Sequence, residues 1–309
     1  MTSIEGTESR RRVVLAADIA AAAQLACLLE VTACKPGNVS PARRFEDSSY
    51  EDFLASAAAI GGPLMDAGAR PLGATIRLAV DATRRWTASN TNLGIVLLLA
   101  PLARAAHLES LEASGFPASR RLRDVLRGVL DATTVEDARD VYAAIRCAAP
   151  GGLGRVEEQD ITDEPDVALL EAMRLAADRD GIAREYTTAF AVTFETGVPA
   201  FDRARRDGLS WSDAVVETYL TLLATAHDTH VARRGGAALA AEVSRRARAV
   251  LDAGGVRSRE GRQAIDEMDR ALRDPRHIAN PGTTADLTAA AIFVVLLGGA
   301  WTGRPPDRR

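Results

Sequence analysis

Lys35 is the only lysine in a chain with 38 basic side chains, and it stands in Lys35-Pro36-Gly37-Asn38 directly after an apolar stretch. Lysine is a compact point charge that fits where a planar guanidinium is too wide. A Pro-Gly turn lets backbone come close to a ligand. The pair points to a phosphate or carboxylate contact. A chance relic of Lys-to-Arg drift on a loop accounts for the same composition equally well.

Three more polar joints sit between apolar stretches. Ser89-Asn90-Thr91-Asn92-Leu93-Gly94 and Asn280-Pro281-Gly282-Thr283-Thr284-Ala285-Asp286 each open an apolar helix. Backbone N–H groups and hydroxyls at helix N-termini receive anions. The last joint, His227-Asp228-Thr229-His230 with Arg233-Arg234, supplies carboxylate and guanidinium. Each joint alone reads as capping and turn chemistry. Together the set suits a polyphosphate with a metal ion. No Gly-x-x-x-x-Gly-Lys-[Ser/Thr] is present, and no Gly-x-Gly-x-x-Gly follows a strand pattern.

The candidate carboxylates are Glu30, Asp47, Asp228 and Asp286. Glu30 falls near a helix C-terminus beside Lys35, where it is either an ion pair or solvated charge, or holds a metal or a ribose hydroxyl. Asp286 falls in the first turn of its helix, where the dipole favours the charged form. That points to a metal ligand over a proton donor. His227 and His230 are three apart and can share a helix face around a metal. Arg184-Glu185-Tyr186 reads as a surface pair.

Helices must position these joints. Aromatics are only 5% of a 47% hydrophobic chain, so Ala, Leu and Val build the core. That composition favours helix. The periodicity predicts helices over 13–34, 50–60, 67–86 (interrupted near Pro71), 91–108, 119–130, 135–148, 167–178, 182–206, 212–225, 237–253, 261–273 and 283–297. No strand–helix alternation is present, so the fold class is all-α, a single bundle-like globular domain over 13–300. Residues 1–12 and 301–309 read as loose tails, and Pro150–Gly154 as a loop within the domain. A net charge of -4 argues against a nucleic-acid partner. Three cysteines without metal spacing, no signal-peptide pattern and no apolar run of spanning length predict a cytoplasmic protein off the membrane.

At the four joints the chain resembles the triphosphoribosyl-dephospho-CoA synthase family. The matching pieces are Leu29-Glu30-Val31 running into Lys35-Pro36-Gly37-Asn38-Val39, Ser56, Asn90-Thr91-Asn92 with Gly94, Arg184-Glu185-Tyr186, Asp228-Thr229 with Arg234-Gly235, and Pro281 to Leu287. The resemblance implies an all-helical enzyme that joins the ATP ribose C1 to a ribose hydroxyl of 3′-dephospho-CoA and releases adenine. ATP is then a substrate, Mg²⁺ the cofactor, and a homodimer the assembly to test. Lys35 and Arg234 are implied to contact phosphates. Asn90, Asn92 and Thr284 position phosphate or metal, and Gly37, Asn38, Thr91, Arg184, Gly282 and Thr283 complete the nucleotide site. Glu30, Asp228 and Asp286 are the implied metal ligands, and these three with Asp47 the candidates for the base.

Two departures stand out. The family's Thr-Gly-Gly-Val-Asn-Thr-His-Lys-Gly segment is Ala88 to Gly94 here, shorter and without the His and Lys. Its His-x-Asp-Met after the Lys-Pro-Gly turn is reduced to Glu46-Asp47. A positive charge near the phosphates is missing on this reading, and the acceptor is open to change. Two other readings compete. One is a helical metal-dependent phosphohydrolase resting on His227, Asp228 and His230. The other is a non-catalytic nucleotide-binding protein.

Overall fold

Small polar side chains start the helices and small apolar ones pack them. The computed structural model describes residues 15–112, 119–149, 159–299 and 301. The expected N-terminal tail, the Pro150–Gly154 loop and, apart from residue 301, the C-terminal tail lie outside the described residues. The helices are α1 (Ala16–Thr32), α2 (Tyr50–Ala59), α3 (Gly61–Met65), α4 (Leu72–Arg84), α5 (Leu93–Glu112), α6 (Ser119–Asp131), α7 (Val135–Ala148), α8 (Leu169–Ala176), α9 (Gly181–Thr187), α10 (Val198–Arg206), α11 (Trp211–Thr225), α12 (Thr229–Gly235), α13 (Ala237–Asp252), α14 (Arg259–Leu272) and α15 (Gly282–Leu297). Among the described residues there is no strand, only an isolated bridge between Ser40 and Arg43. The all-α expectation holds. No helix of the described residues is long and apolar enough to cross a membrane.

Caps explain where helices begin. Ser49 and Asp52 bond reciprocally at the start of α2, and Thr134 and Asp137 do the same at α7. Each satisfies backbone N–H groups that the first turn leaves unpaired. Asp137 also accepts the Gly73 N–H at 2.7 Å, which ties α7 to α4. A methyl at Gly73 would sit 2.5 Å from the Asp137 Cα, so glycine permits the close crossing.

α15 is apolar around its whole circumference beyond Asp286, and almost every residue of it is buried. A helix of that kind belongs at the centre. It packs against α1, α5, α10 and α11. One continuous core of Ala, Leu, Val and Ile runs through all of them.

Two local expectations change. The predicted helix over 182–206 is broken. Ala189 and Phe190 take positive φ of 47° and 58°, and a π-helical turn covers Thr193–Gly197 before α10. The buried Glu185 carboxylate accepts the Val192 and Thr193 N–H groups at 2.9 and 2.8 Å and the Thr193 hydroxyl at 2.6 Å. It stands in for the helical carbonyls those N–H groups would otherwise need. The second change is α12, which lies within what reads as a polar joint. Asp228 caps it by accepting the Val231 N–H at 3.0 Å.

Candidate active site

Four helix joints distant in sequence open onto one cleft of about 580 Å³, within the size range of small-molecule sites. Glu30 comes from the end of α1, and Asn38 and Asp47 from the segment after it. Asn90 to Gly94 come from the start of α5. His230, Arg233 and Arg234 come from α12, and Asn280, Gly282, Thr283 and Asp286 from the start of α15.

Asp286 is the centre of this arrangement. Its carboxylate lies against the backbone of Gly94, where a Cβ would meet Asp286 Oδ2 at 2.0 Å. Neither of its oxygens has a hydrogen-bond donor among the described residues. Burial is the first cause that lifts its pKa well above the ordinary carboxylate range, and the Glu30, Asp228 and Asp180 charges add to it. Arg233 opposes them. From its place in the first turn of α15, the helix dipole alone is expected to keep this group charged. Burial and neighbouring anions outweigh the dipole, so the pKa of Asp286 moves up and not down.

Lys35 does not line the cleft. Its side chain is fully buried behind Glu30, with Nζ 2.9 Å from Glu30 Oε1. It also donates to the Glu30 and Ala33 carbonyls. The phosphate contact inferred for Lys35 is therefore replaced by a buried ion pair that orients Glu30. The rest of the turn is braced from behind. The Gly37 N–H donates to Asp269 at 2.8 Å, with Gly37 at φ +75°. Asn38 Nδ2 donates to the Tyr219 hydroxyl at 2.9 Å, and that hydroxyl donates to the Pro36 carbonyl at 2.8 Å.

Asp228 is also occupied. Besides capping α12, its second oxygen accepts the Thr284 N–H and hydroxyl, both at 2.7 Å. It fastens α12 to α15 and does not line the cleft, and neither does Thr284. Burial raises its pKa against these bonds. The expected ligand set of Glu30, Asp228 and Asp286 does not come together as one metal cage. Among the described residues no group of three or more His, Cys, Asp or Glu could hold a metal ion. His227 is exposed and outside α12, so the triad needed by the phosphohydrolase reading is not assembled.

The remaining residues sort cleanly. Thr91 is buried and hydrogen-bonded to Ser56 at 2.5 Å. Asn92 Nδ2 donates to Thr83 at 3.0 Å, and Asn90 Oδ1 accepts the Leu93 N–H at 3.2 Å. The Thr283 hydroxyl lies 3.1 Å from that of Thr229, which accepts the Gly181 N–H. Arg234 donates to the Arg276 and His277 carbonyls. Arg184 bonds the Ala177 and Asp178 carbonyls outside the cleft. Glu185 and Tyr186 of the same motif act in packing, Tyr186 through a 2.7 Å bond to the Leu97 carbonyl.

Sequence reasoning missed Arg84, Arg179 and Asp180, which line the cleft with Arg233 and Arg234. The four guanidinium groups place positive charge around the cleft. Asp180 caps α9 and pairs with Arg233 at 2.5 Å. His230 is neutral here. Burial first, then Arg233 and Arg234, push its pKa down to about 4 against the pull of Asp180.

An all-α domain whose polar helix ends meet in one cleft, with arginines and a carboxyl group lining it, fits the class of helical transferases. The chain belongs to the ATP:dephospho-CoA triphosphoribosyl transferase (CitG) family, whose model matches residues 16–305. A Pseudomonas paraeruginosa (strain DSM 24068 / PA7) protein named "Probable 2-(5''-triphosphoribosyl)-3'-dephosphocoenzyme-A synthase" is 28% identical over 243 residues, covering 78% of this chain and 81% of that protein. A protein of the same name from Pseudomonas aeruginosa (strain UCBPP-PA14) is 29% identical over 248 residues, with the same coverage. A crystal structure from Archaeoglobus fulgidus, assigned as a triphosphoribosyl-dephospho-CoA synthase, is similar with a TM-score of 0.61 and 29% identity. It covers 80% of this chain and 99% of that one.

Proposed function

We propose that the cleft transfers the triphosphoribosyl group of ATP to a ribose hydroxyl of 3′-dephospho-CoA and releases adenine. The bond from ribose C1 to the adenine nitrogen breaks, and a bond from C1 to the acceptor oxygen forms. The hydroxyl proton leaves and adenine gains one. The observation that carries this reading is Asp286, a carboxyl with a raised pKa and no protein donor among the described residues, set with four arginines in the cleft.

Asp286 gives its proton to the departing adenine nitrogen. The carboxylate so formed receives the proton of the attacking hydroxyl, so one group serves both steps. Glu30, oriented by Lys35, presents negative charge to the cationic ribosyl centre. Arg84, Arg179, Arg233 and Arg234 meet the phosphates, since guanidinium forks match phosphate oxygens. Asn90, Thr91, Asn92 and Thr283 orient the nucleotide from the helix starts.

Magnesium fits as a companion of the triphosphate, because Mg²⁺ in such sites uses phosphates and one or two carboxylates. Asp47, exposed at the cleft with only a 3.3 Å bond from Ser48, is the residue that would hold it. Its chemistry there is neutralisation of phosphate charge.

Incubation with ATP, Mg²⁺ and 3′-dephospho-CoA, followed by mass analysis, should yield free adenine and an adduct that keeps all three phosphates. Release of inorganic phosphate or pyrophosphate without adenine would overturn the proposal.

A further inference from the structure

Tyr219 of α11 is fully buried and does not line the cleft. A hydroxyl in an aliphatic core is costly unless it is bonded. Its two hydrogen bonds both go to the Lys35–Asn38 turn. It donates to the Pro36 carbonyl at 2.8 Å, a group that can only accept. Its lone pair is therefore what Asn38 meets, and the Asn38 atom 2.9 Å away is Nδ2. The same Nδ2 lies 3.3 Å from the Pro36 carbonyl, which gives the same assignment. The other end of the amide is left over. Asn38 is only 7% exposed, yet its Oδ1 accepts nothing from the described residues, and unlike the Ser40 hydroxyl it is not sealed from solvent. The open space that Asn38 borders is the cleft. The backbone of the turn is also held from α14, by Asp269 on the Gly37 N–H at 2.8 Å and Arg273 on the Asn38 carbonyl at 2.9 Å. The course of the turn does not depend on Tyr219 alone.

Resting on the proposed reaction, we infer that Tyr219 is a positioning residue: it turns the Asn38 amide so that Oδ1 faces the substrate, where it accepts a hydroxyl of the ATP ribose. The opposite orientation would offer an NH₂ group to the triphosphate. An oxygen repels phosphate and needs a donor. ATP carries donors on its ribose and on the adenine amino group. That amino group is flanked by ring nitrogens that accept, so its site needs a donor beside the acceptor. The other cleft-lining polar group around this turn is Glu30, a second acceptor whose charge also reaches Tyr219. Two acceptors suit the adjacent hydroxyls of a ribose, and Glu30 is the residue placed at the ribosyl centre. The assignment makes the turn a reader of the ATP sugar and not of its phosphates.

The test is binding of ATP, 2′-deoxy-ATP, 3′-deoxy-ATP and 3′-dephospho-CoA, read by calorimetry. Wild type should favour ATP over at least one deoxy form by about tenfold. Tyr219→Phe should weaken ATP to the level of that deoxy form and leave the deoxy form unchanged. Asn38→Ala, which keeps Tyr219 in place, should do the same. Adding Tyr219→Phe to Asn38→Ala should then cost no further affinity, because the hydroxyl acts through the amide. Equal weakening of ATP and both deoxy forms, no loss of ATP affinity in the variants, additive effects of the two substitutions, or a loss confined to 3′-dephospho-CoA would overturn the inference. So would a wild type that binds the three nucleotides alike. Binding is read without turnover, so a protein that tells ATP from its deoxy form through Tyr219 but releases no adenine would refute the reaction and leave this role standing.

Discussion

Asp286 Oδ2 occupies the space that a side chain at Gly94 would need, with only 2.0 Å between it and an added Cβ. Gly94 is in the first turn of α5, where alanine would favour the helix by about 1 kcal/mol. The collision decides against it. Gly94→Ala should move the carboxyl group, lower adenine release by about 100-fold, and leave the far-ultraviolet circular dichroism unchanged. Full activity in the variant would separate Asp286 from the chemistry.

Asp286→Asn should make the protein more stable and less active. The wild-type carboxyl has a folded pKa raised by burial and by Glu30. An unfolded aspartate titrates near about 3.9. The folded state therefore binds the proton more tightly, and wild type loses stability as pH rises from about 4 through the raised value. The asparagine variant has no such loss. Its Tm advantage should be absent near about pH 4 and grow toward neutral pH, while adenine release falls by about 100-fold to 10,000-fold. A Tm difference independent of pH would contradict the raised pKa of Asp286.

The Lys35–Glu30 pair gives a third expectation. With side-chain exposures of 0% and 4%, neither charge has water to fall back on. Lys35→Met should cost about 3–5 kcal/mol in urea unfolding, because Glu30 is left as an unpaired buried charge. Lys35→Met with Glu30→Gln should recover most of that stability without recovering activity. Loss of ATP affinity with stability intact would return Lys35 to the phosphates.

The helices were legible because an Ala-, Leu- and Val-rich composition and an apolar periodicity agree along the chain. The break after α9 was not, because a side chain, Glu185, replaces backbone carbonyls there. Periodicity says nothing about such a substitution. The convergence of the joints at 30–47, 90–94, 230–234 and 280–286 was foreshadowed by their shared polarity at helix ends. Arg84, Arg179 and Asp180 gave no such signal. In sequence they look like ordinary charges at the ends of amphipathic helices, and only packing turns them toward the cleft. The roles of Lys35 and Asp228 were misjudged for the opposite reason. Their types suit a ligand, but each finds protein partners first.

His230 gives the last prediction, which concerns acid. Its ring stands against Gly282, where a Cβ would meet Nδ1 at 2.2 Å, and it faces Arg233, Arg234 and Asp180. Its folded pKa of about 4 lies below the value of about 6.5 for an unfolded histidine. The unfolded state therefore takes up the proton first. Stability linked to His230 is complete above about pH 6.5 and is lost as pH falls toward about 4. His230→Gln removes that liability. The Tm of the variant relative to wild type should be flat from pH 8 to about 6.5, rise between about 6.5 and 4, and level off below. A constant difference across the range would mean that the imidazole is free to protonate in the folded protein, and that the two arginines beside it do not hold it neutral.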